Sequence, residues 1–237
     1  MLVHAWDMGL FHRWMHTQPD KAGVTFSRFV QRFSEEANVT LLALDCDGPG
    51  RRHAIYPAYK STRPKRTPEE EAALRAQREA AIASLRQWGA RVRWADGWEA
   101  DDVLATIATK AREEGFSVTV ISGDKDLAQL LPLGIRLHDT KNEVTAETIR
   151  ERFGVTPEQV VDYLSLAGDG TDDVPGVKGM GPKTAAKLLG EHGSMDAAIE
   201  AGRWLSGPVG KLYQQREQAL LSRRLVQLNT DVPLIKG

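Results

Sequence analysis

Cysteine is almost absent from this chain, which has Cys46 alone among its 237 residues. A single cysteine cannot form an intramolecular disulfide, and it excludes a cysteine-rich zinc site. The sequence therefore favours a reducing compartment. With 41% hydrophobic and 27% charged residues, the chain can bury a core in one large domain, or in one domain with a smaller second one.

Long apolar runs are absent as well. No stretch approaches the roughly 18 consecutive apolar residues that a membrane-spanning helix needs. Met1 is not followed by the basic, apolar and small-residue pattern of a secretory signal. Together these absences predict a cytoplasmic protein without a membrane partner.

A large excess of either charge is also lacking, since the formal net charge is -1. The near balance hides a segregation along the chain. Residues 51–93 hold eleven Lys or Arg against four Glu, whereas residues 94–126 hold eight Asp or Glu against three Lys or Arg. Solvated helix faces can produce such blocks, but a basic segment beside clustered carboxylates also suits a polyanion held over a metal site.

Acidic residues follow several predicted strands. Buried strands are predicted from the apolar runs at residues 2–6, 39–44 and 117–121. The acids that follow them are Asp7, Asp45, Asp124 and Asp126. A helical pattern between the first two runs gives a strand–helix–strand unit, and such units form parallel sheets that bind ligands beyond the carboxyl ends of the strands. A lone acid after a strand is usually a turn residue, but the repetition favours a site in an α/β fold.

Three further carboxylates crowd the start of a predicted helix. Glu99, Asp101 and Asp102 precede an apolar pattern with helical spacing. Free N–H groups at a helix N-terminus hold some negative charge, but three clustered carboxylates repel one another. A divalent cation would relieve that repulsion, while an ordinary acid-rich first turn remains the alternative.

A basic segment lies between these acidic regions. Its side chains are Tyr59, Lys60, Arg63, Lys65 and Arg66. Arginine can donate two hydrogen bonds to one phosphate and tyrosine can stack on a base, so the segment suits a single strand or a frayed end. Simple solubility is the alternative interpretation.

Thr67, Pro68 and Glu70 predict the start of a helix directly after this segment. The helix should run to about Trp88. Its apolar face is thin and rich in alanine, which suggests a loosely packed lid.

Beyond about Thr140 the strand pattern stops and helices are predicted, which suggests a domain boundary there. Asp169 and Asp172 lie in an acidic loop that leads into a glycine-rich turn at residues 176–181. The turn has a superficial likeness to a nucleotide-binding P-loop, but Pro182 stands where that motif needs its lysine. A helix–glycine turn–helix that grips duplex phosphates through backbone N–H groups is the better interpretation.

The acids collected in this way are hard oxygen ligands: Asp7, Asp45, Glu99, Asp101, Asp102, Asp124, Asp126, Asp169 and Asp172. Such ligands suit Mg²⁺ or Mn²⁺ and argue against zinc. His12 and His16 have the spacing of a zinc pair, but the glutamate of a zinc protease does not follow His12.

In combination these segments resemble the 5' nuclease family, which includes flap endonucleases, phage 5'-3' exonucleases and the N-terminal domain of bacterial DNA polymerase I. The resemblance rests on Glu99-Ala-Asp-Asp, on Asp124-Lys-Asp-Leu, on the 168–184 block, and on Tyr59-Lys60 with Arg63. It extends over nearly the whole chain, in the family's order. No single motif carries it.

The resemblance implies a PIN-like α/β nuclease domain at residues 1–140, with a helical arch at about 60–88. It also implies a helical region at 141–237 that contains a helix-three-turn-helix, a motif of the helix-hairpin-helix kind, at about 156–190. The implied activity is that of a structure-specific 5' nuclease, a flap endonuclease and 5'-3' exonuclease of DNA replication or repair. It would hydrolyse branched or 5'-ended DNA by two-metal-ion catalysis and leave a 5'-phosphate. Whether RNA–DNA primers are also substrates stays open.

The same resemblance assigns roles to individual residues. The first metal group would be Asp7, Asp45, Glu99, Asp101 and Asp102, and the second Asp124, Asp126, Asp169 and Asp172. Lys60 and Arg63 would reach the scissile phosphate. The further DNA contacts would be Arg52, Tyr59, Lys65, Arg66, Gly176, Lys178, Gly179, Gly181, Lys183 and Thr184. Mg²⁺ would be the cofactor, with Mn²⁺ as a substitute and K⁺ at the helix-three-turn-helix, and the protein would act as a monomer in a bacterial or phage-infected cytoplasm.

Three residues depart from the family pattern. Met8 follows Asp7 where glycine is usual, Arg13 comes one position earlier than the family's next basic residue, and Asp173 stands where asparagine is common after the last metal aspartate. The departure at Asp173 adds a charge to the site. Two other functions remain as alternatives: a branched-DNA-binding protein of the same fold with weak or no turnover, and an RNA-cutting toxin-like nuclease, which would lack the long helical C-terminal region.

Overall fold

The computed structural model describes residues 1–46 and 48–236, so that Asp47 and Gly237 lie outside the described residues. Within those ranges one sheet contains the strands β1 (Leu2–Trp6), β2 (Val39–Ala43), β3 (Arg91–Trp94), β4 (Ser117–Ile121), β5 (Arg136–His138), β6 (Glu143–Val144) and β7 (Ile235–Lys236). The α-helices are α1 (Gly9–Thr17), α2 (Ala22–Phe33), α3 (Arg51–Ile55), α4 (Pro68–Trp88), α5 (Ala100–Glu113), α6 (Ala146–Phe153), α7 (Val160–Ala167), α8 (Pro182–His192), α9 (Met195–Gly202), α10 (Gly207–Gln214) and α11 (Arg216–Val226). Short 3-10 helices occur at Pro19–Lys21, Lys125–Leu133 and Pro157–Gln159.

The sheet has the strand order β6-β5-β4-β1-β2-β3-β7. Its five inner strands are parallel, and the short edge strands β6 and β7 are antiparallel to their neighbours. From the central β1 the chain moves outward to β2 and β3, and it then returns to β4 on the other side of β1. The crevice beyond the carboxyl ends of β1 and β4 is therefore a topological switch point, where open α/β sheets bind ligands. The predicted α/β class with a mostly parallel sheet is confirmed.

Helices cover both faces of the sheet because side chains alternate along each strand. Val3 and Ala5 of β1 belong to a core shared with α5 and the C-terminal helices. Trp6, on the opposite face, packs with Phe11 of α1 and Phe26 of α2. The strand ends that carry the acids are thus held between two separate hydrophobic layers.

Helix α4 forms as the sequence predicts, with Thr67 and Glu70 in a capping box and with Gly89 in the left-handed conformation (φ 109°) at its C-terminal end. Its packing differs from the prediction of a loose lid. Leu74, Ala81 and Leu85 are buried in the core shared with α2, and the Gln77 side chain accepts a hydrogen bond from the Gly23 N–H at 3.0 Å. Three apolar side chains on one face are enough to pack this helix against α2.

Three local features are not anticipated by the sequence. Residues 51–55 form the short helix α3, and β6 pairs with β5 at one edge of the sheet. The chain also returns at its C-terminal end to add β7 beside β3. Since both added strands lie beyond residue 140, the predicted division at that residue stays a prediction.

The region after β6 is helical up to β7, as predicted. Thr145 caps α6 and Gly154 ends it with φ 71°, and Pro182 opens α8. Helix α7 lies between α8 and α11, with Leu164 and Leu166 buried in the core that also contains Leu225. None of the helices within 1–46 and 48–236 combines the length and the apolar character needed to cross a membrane.

Candidate active site

Five carboxylates gather at the carboxyl edge of the sheet, where β1, β2 and β4 end and α5 begins. We call them the open acid cluster: Asp7, Asp45, Asp101, Asp124 and Asp126. Asp7 follows β1, Asp45 follows β2, Asp124 and Asp126 follow β4, and Asp101 lies in the first turn of α5. The topology therefore unites residues that are up to 119 positions apart in the sequence.

Asp7 ends β1 and is buried, with 7% of its surface exposed. Its Oδ1 accepts the Gly9 N–H at 2.8 Å. Burial raises the pKa of Asp7 to about 6, although hydrogen bonds from the Ser122 hydroxyl and the Gly9 N–H work in the opposite direction. The nearby Asp124 and Asp45 also raise this pKa, so three strand ends meet electrostatically at Asp7.

Asp45 connects β2 to the start of α5. Its Oδ1 accepts the Ala100 N–H at 2.9 Å, while Glu99, the N-cap residue of α5, makes no capping bond with its own side chain. Asp45 therefore serves as the anion at this helix N-terminus, where the helix dipole favours negative charge.

Asp101 lies in the first turn of α5 and is half-buried. Burial raises its pKa well above the usual value, and Asp124, Asp7 and Asp45 raise it further. These causes indicate that other carboxylates lie near Asp101. Lys60 gives only a small opposing effect.

Asp124 and Asp126 flank Lys125 after β4. Asp124 caps the 3-10 helix that follows, with its Oδ1 accepting the Asp126 N–H at 2.9 Å. Burial, followed by the charge of Asp124, raises the pKa of Asp126 to about 7. The buried Asp126 Oδ1 has no hydrogen-bond donor, and its nearest cation, Lys125 Nζ, lies 3.5 Å away.

The remaining predicted ligands are occupied by basic side chains. Glu99 pairs with Lys60 at 2.7 Å and with Arg52 at 2.8 Å. Arg63 pairs with Asp172 at 2.5 Å, and Lys125 with Asp169 at 2.5 Å. By contrast, no ion pair joins Asp7, Asp45, Asp101 or Asp124 to a basic side chain among the described residues.

These pairs change the proton affinities of the groups that form them. Burial alone would raise the pKa of Glu99, but Lys60 and Arg52 hold it below the usual value. Burial would likewise lower the pKa of Lys60, yet Glu99 and Asp172 raise it, so the ammonium stays charged. The cleft therefore contains two kinds of acid: an open cluster, in which only Asp126 has a described basic side chain within 4 Å, and a set already neutralised by lysine and arginine.

The two sets do not form a finished metal site in this arrangement. Within residues 1–46 and 48–236, no group of three or more His, Cys, Asp or Glu side chains is arranged to hold a metal ion. Basic side chains pair with Glu99, Asp102, Asp169 and Asp172. The donors nevertheless fit a hard divalent cation, because all are oxygens, the open cluster has uncompensated charge, and Asp126 Oδ1 is a buried acceptor without a donor.

Asp102 and Arg52, predicted as a metal ligand and a phosphate contact, are paired with each other in this structure. Asp102 is 1% exposed, and its oxygens accept from Arg52 Nη1 at 2.5 Å and from the Asn229 N–H at 2.9 Å. Arg52 is buried and also donates to the Leu225 carbonyl at 2.6 Å. Asp102 and Arg52 thus form a buried ion pair. Each charge needs the other as its counter-ion because both are removed from water.

Tyr59 and Gly176 also differ from the prediction. Tyr59 is buried, with its hydroxyl 3.1 Å from Glu99 Oε2 and 3.2 Å from Asp172 Oδ2, so it is not free to stack on a base. Burial and these two carboxylates raise its pKa. Gly176 packs against Gly168, where an added Cβ would lie 2.5 Å from the Gly168 nitrogen, and its N–H donates to Ser222 Oγ. Close backbone approach explains this glycine.

The other predicted DNA contacts lie at the surface. Lys65 and Arg66 are exposed before α4, as are Lys178, Gly179, Gly181 and Lys183 around the N-terminus of α8. Thr184 is half-buried in the first turn of α8. The side-chain amide of Gln215 accepts from the Lys178 N–H at 3.0 Å and donates to the Lys178 carbonyl at 3.3 Å, which fixes the glycine turn to the joint between α10 and α11.

Sequence reasoning missed three contributors to the cleft: Ser122, Thr62 and Gln215. Ser122 could have been found, because it is the residue directly after β4 at the switch point. Nothing local to Thr62 or Gln215 distinguishes them, since their partners Asp173 and Lys178 lie 111 and 37 residues away in the sequence.

Comparison with known proteins gives matches over nearly the whole chain. Residues 10–154 match the family model described as 5'-3' exonuclease, N-terminal resolvase-like domain, and residues 155–236 match that described as 5'-3' exonuclease, C-terminal SAM fold. DNA polymerase I of Bacillus caldotenax is 38% identical over 208 residues, which is 84% of this chain and 23% of that protein. The chain therefore spans about a quarter of the length of this relative.

A relative of similar size and a solved structure agree with those matches. Flap endonuclease Xni of Photorhabdus laumondii subsp. laumondii is 37% identical over 193 residues, which is 77% of this chain and 72% of that protein. The solved T5 5'-exonuclease with bound divalent metal ions (zinc) superposes with a TM-score of 0.83 over 97% of this chain and 90% of that one, at 24% identity, a likeness of fold. With both family models matched in sequence order and a relative of comparable length, the chain belongs to the 5'-3' exonuclease family.

Proposed function

We propose that this protein is a divalent-metal-dependent 5' nuclease that hydrolyses phosphodiester bonds in branched or 5'-ended DNA and leaves a 5'-phosphate. It would act as a flap endonuclease and 5'-3' exonuclease in replication or repair. The observation that carries the proposal is the open acid cluster at the switch point, with Asp126 Oδ1 buried and without a donor, beside Lys60 and Arg63. Carboxylates that mostly lack counter-ions, next to a lysine and an arginine that can bind phosphate, suit a cleft that takes up metal and phosphate together.

The open acid cluster would hold the metal, with Mg²⁺ as the expected ion and Mn²⁺ as a substitute. Glu99, Asp169 and Asp172 would join it as their cations move away. Asp102 is left out because Arg52 and the Asn229 N–H occupy its oxygens. When bound, a pair of divalent ions lowers the pKa of the attacking water and offsets negative charge on the phosphate and leaving oxygen.

Lys60 and Arg63 would bind the scissile phosphate. In the absence of DNA they act as counter-ions to Glu99 and Asp172, at 2.7 and 2.5 Å. A phosphate offers them equivalent acceptors, so moving these two side chains exchanges one charge-assisted contact for another. The pKa of Lys60, raised by Glu99 and Asp172, keeps it protonated for that purpose.

DNA would be held on both sides of the cleft. Residues 60–88 would form the arch over the single strand, with Lys65 and Arg66 exposed on it. The glycine turn would bind the duplex backbone through Lys178, Lys183 and the N-terminal end of α8, with K⁺ bound by the carbonyl oxygens of the turn. In this division of labour residues 1–140 carry out the chemistry and residues 141–237 bind the duplex, as a monomer.

The test is cleavage of a 5'-flap duplex with a labelled 5' end. With Mg²⁺ or Mn²⁺ the label should leave on a short product near the junction, the shortened strand should carry a 5'-phosphate, and chelation should stop the reaction. Asp124→Asn should abolish turnover while binding survives. Intact substrate at stoichiometric protein with either metal would refute the activity.

A branched-DNA-binding protein with weak turnover is the second candidate, and one observation favours it. Four basic side chains already neutralise Glu99, Asp102, Asp169 and Asp172, and no three-ligand group is preformed among the described residues. Titrating Mn²⁺ into the flap assay separates the two candidates, because only a nuclease gains product with rising metal. The match of residues 155–236 to the exonuclease C-terminal model argues against a toxin-like RNase.

A further inference from the structure

A short clasp joins the basic segment to the acidic loop of the C-terminal region. The Thr62 N–H donates to Asp173 Oδ2 at 2.8 Å, and the Thr62 hydroxyl donates to Asp173 Oδ1 at 2.7 Å. Both oxygens of one carboxylate are therefore used on one residue. Beside this clasp the Lys60 N–H donates to the Asp172 carbonyl at 3.0 Å.

The backbone on both sides of the clasp is in an unusual conformation. Among the described residues, the non-glycine residues with positive φ are Lys60 (55°), Thr140 (79°) and Asp173 (55°). Two of these three thus face each other across this contact. A left-handed conformation is unfavourable for a residue with a Cβ, although Asp and Asn are among the more tolerant types, so neighbouring contacts must hold it in place.

The loop that presents Asp173 is itself rigid. Asp169 and Val174 exchange backbone hydrogen bonds, each of 2.9 Å, and close a tight hairpin around Asp172 and Asp173. The chain then continues into Gly176, which is packed on Gly168. The hairpin that presents Asp173 and the glycine turn are therefore parts of one continuous, closely packed stretch of chain.

We propose that Asp173 is a positioning residue that, through Thr62, holds Lys60 and Arg63 over the cleft and couples them to the glycine turn. Duplex bound at the turn then stabilises the same arrangement that aims the two cations at the phosphate. The proposal rests on the nuclease function proposed above. It also gives a role to the additional acid at this position, whose two oxygens match the two donors of Thr62.

The variants that test the clasp separate hydrogen bonding from backbone strain. Asp173→Gly keeps the left-handed backbone and removes the clasp, whereas Asp173→Asn can keep it, because its Oδ1 accepts the Thr62 N–H and its Nδ2 donates to the hydroxyl. Thr62→Val removes one of the two bonds without changing shape. Glu200→Gln, on an exposed position of α9, is the control for loss of one negative charge.

Hydrogen–deuterium exchange in residues 59–63 is the first measurement, because it needs no activity. Exchange should rise in Asp173→Gly and less in Thr62→Val, and it should stay unchanged in Asp173→Asn and Glu200→Gln. Binding of a flap duplex should slow exchange there in the unmodified protein but not in Asp173→Gly. Unchanged exchange in Asp173→Gly, or equal effects of Gly and Asn, would overturn the clasp.

Single-turnover cleavage at saturating protein is the second measurement. Asp173→Gly should slow the cleavage step by about tenfold or more, because Lys60 and Arg63 are then less well positioned over the phosphate, with little change in flap affinity. Asp173→Asn should restore the rate. If the unmodified protein does not cleave the flap, the nuclease function is refuted. The clasp is still tested in that case, because hydrogen–deuterium exchange does not depend on activity. An unchanged rate in Asp173→Gly would remove Asp173 from the positioning role.

Discussion

At the residue scale, burial controls the charge of the cleft. Asp7 and Asp126 have pKa values raised to about 6 and about 7, chiefly by burial, against 3.8 for an ordinary aspartate. The folded protein therefore keeps protons that the unfolded chain has already lost between about pH 4 and pH 7. By linkage, these two groups stabilise the metal-free fold at the acidic end of that window and lose the effect as the pH rises.

We expect Asp7→Asn/Asp126→Asn to be more stable than the unmodified protein at pH 8 in chelator, by on the order of 1–3 kcal/mol. The difference should shrink towards pH 5, where both carboxyls are protonated in the fold. Thermal unfolding from pH 5 to 8 measures it. Burial also lowers the pKa of His4 and His12, and the contribution of these histidines to stability increases with pH. The effect of the two aspartates is therefore read from the difference between the unmodified protein and the double variant. Parallel curves for the two proteins would contradict the assignment.

Lys60 gives a second prediction at this scale. Lys60→Ala should slow single-turnover cleavage by about 10²-fold while flap affinity changes little, because the ammonium stabilises charge that develops on the phosphate. Lys65→Ala is the matched control: it removes the same charge from an exposed position of the same segment and should weaken binding at low salt only. Equal single-turnover rates for the two variants would remove Lys60 from the chemistry.

At the element scale, the seating of α4 on α2 depends on a close backbone contact. Gly23 lies in the first turns of α2, and an added Cβ there would be 2.4 Å from the Gln77 carbonyl oxygen of α4. A gap that small cannot be met by rotating a side chain, so the two helices would have to move apart.

Gly23→Ala should accordingly destabilise the protein by about 1–3 kcal/mol. Gly190→Ala is the control: Gly190 lies in α8 with no atom within 4 Å of the added Cβ, and the change should stabilise the helix by about 0.5–1 kcal/mol. Urea unfolding of both variants gives the comparison. A Gly23→Ala protein as stable as the unmodified one would show that α4 is loosely seated.

At the scale of the whole molecule, Arg52 ties three parts of the chain together. From α3 it reaches Asp102 of α5, Glu99, and the backbone carbonyls of Leu225 and Gln227 near the C-terminal end. Both Arg52 and Asp102 are buried, so the cost of removing one partner is mainly that of leaving the other charge uncompensated.

Arg52→Ala should cost about 3–5 kcal/mol of folding free energy. Arg51→Ala, next to it but exposed and stacked on Trp98, should change stability by no more than about 0.5 kcal/mol. Replacing both charges, as in Arg52→Met/Asp102→Leu, should recover much of the loss. Denaturant unfolding measures all three, and a stable Arg52→Ala protein with weakened DNA binding would restore the predicted phosphate contact.

The sequence determined the elements and the inventory of charge. Apolar runs predict β1, β2 and β4, and the capping pattern from Thr67 to Glu70 predicts the start of α4, because these signals depend on residues a few positions apart. The acids at strand ends follow from the same local patterns. Their convergence could be inferred from the parallel topology.

Only the tertiary structure decided which acids are free and which are neutralised. Arg52 and Asp102, Tyr59 and Asp172, and Thr62 and Asp173 are 50, 113 and 111 residues apart, and no local pattern encodes these pairs. Burial then fixes their roles, because a charge removed from water must find a partner or change its proton affinity. These long-range pairings leave the carboxylates of the open acid cluster available for a metal ion. They place Arg52 in a buried ion pair that stabilises the fold.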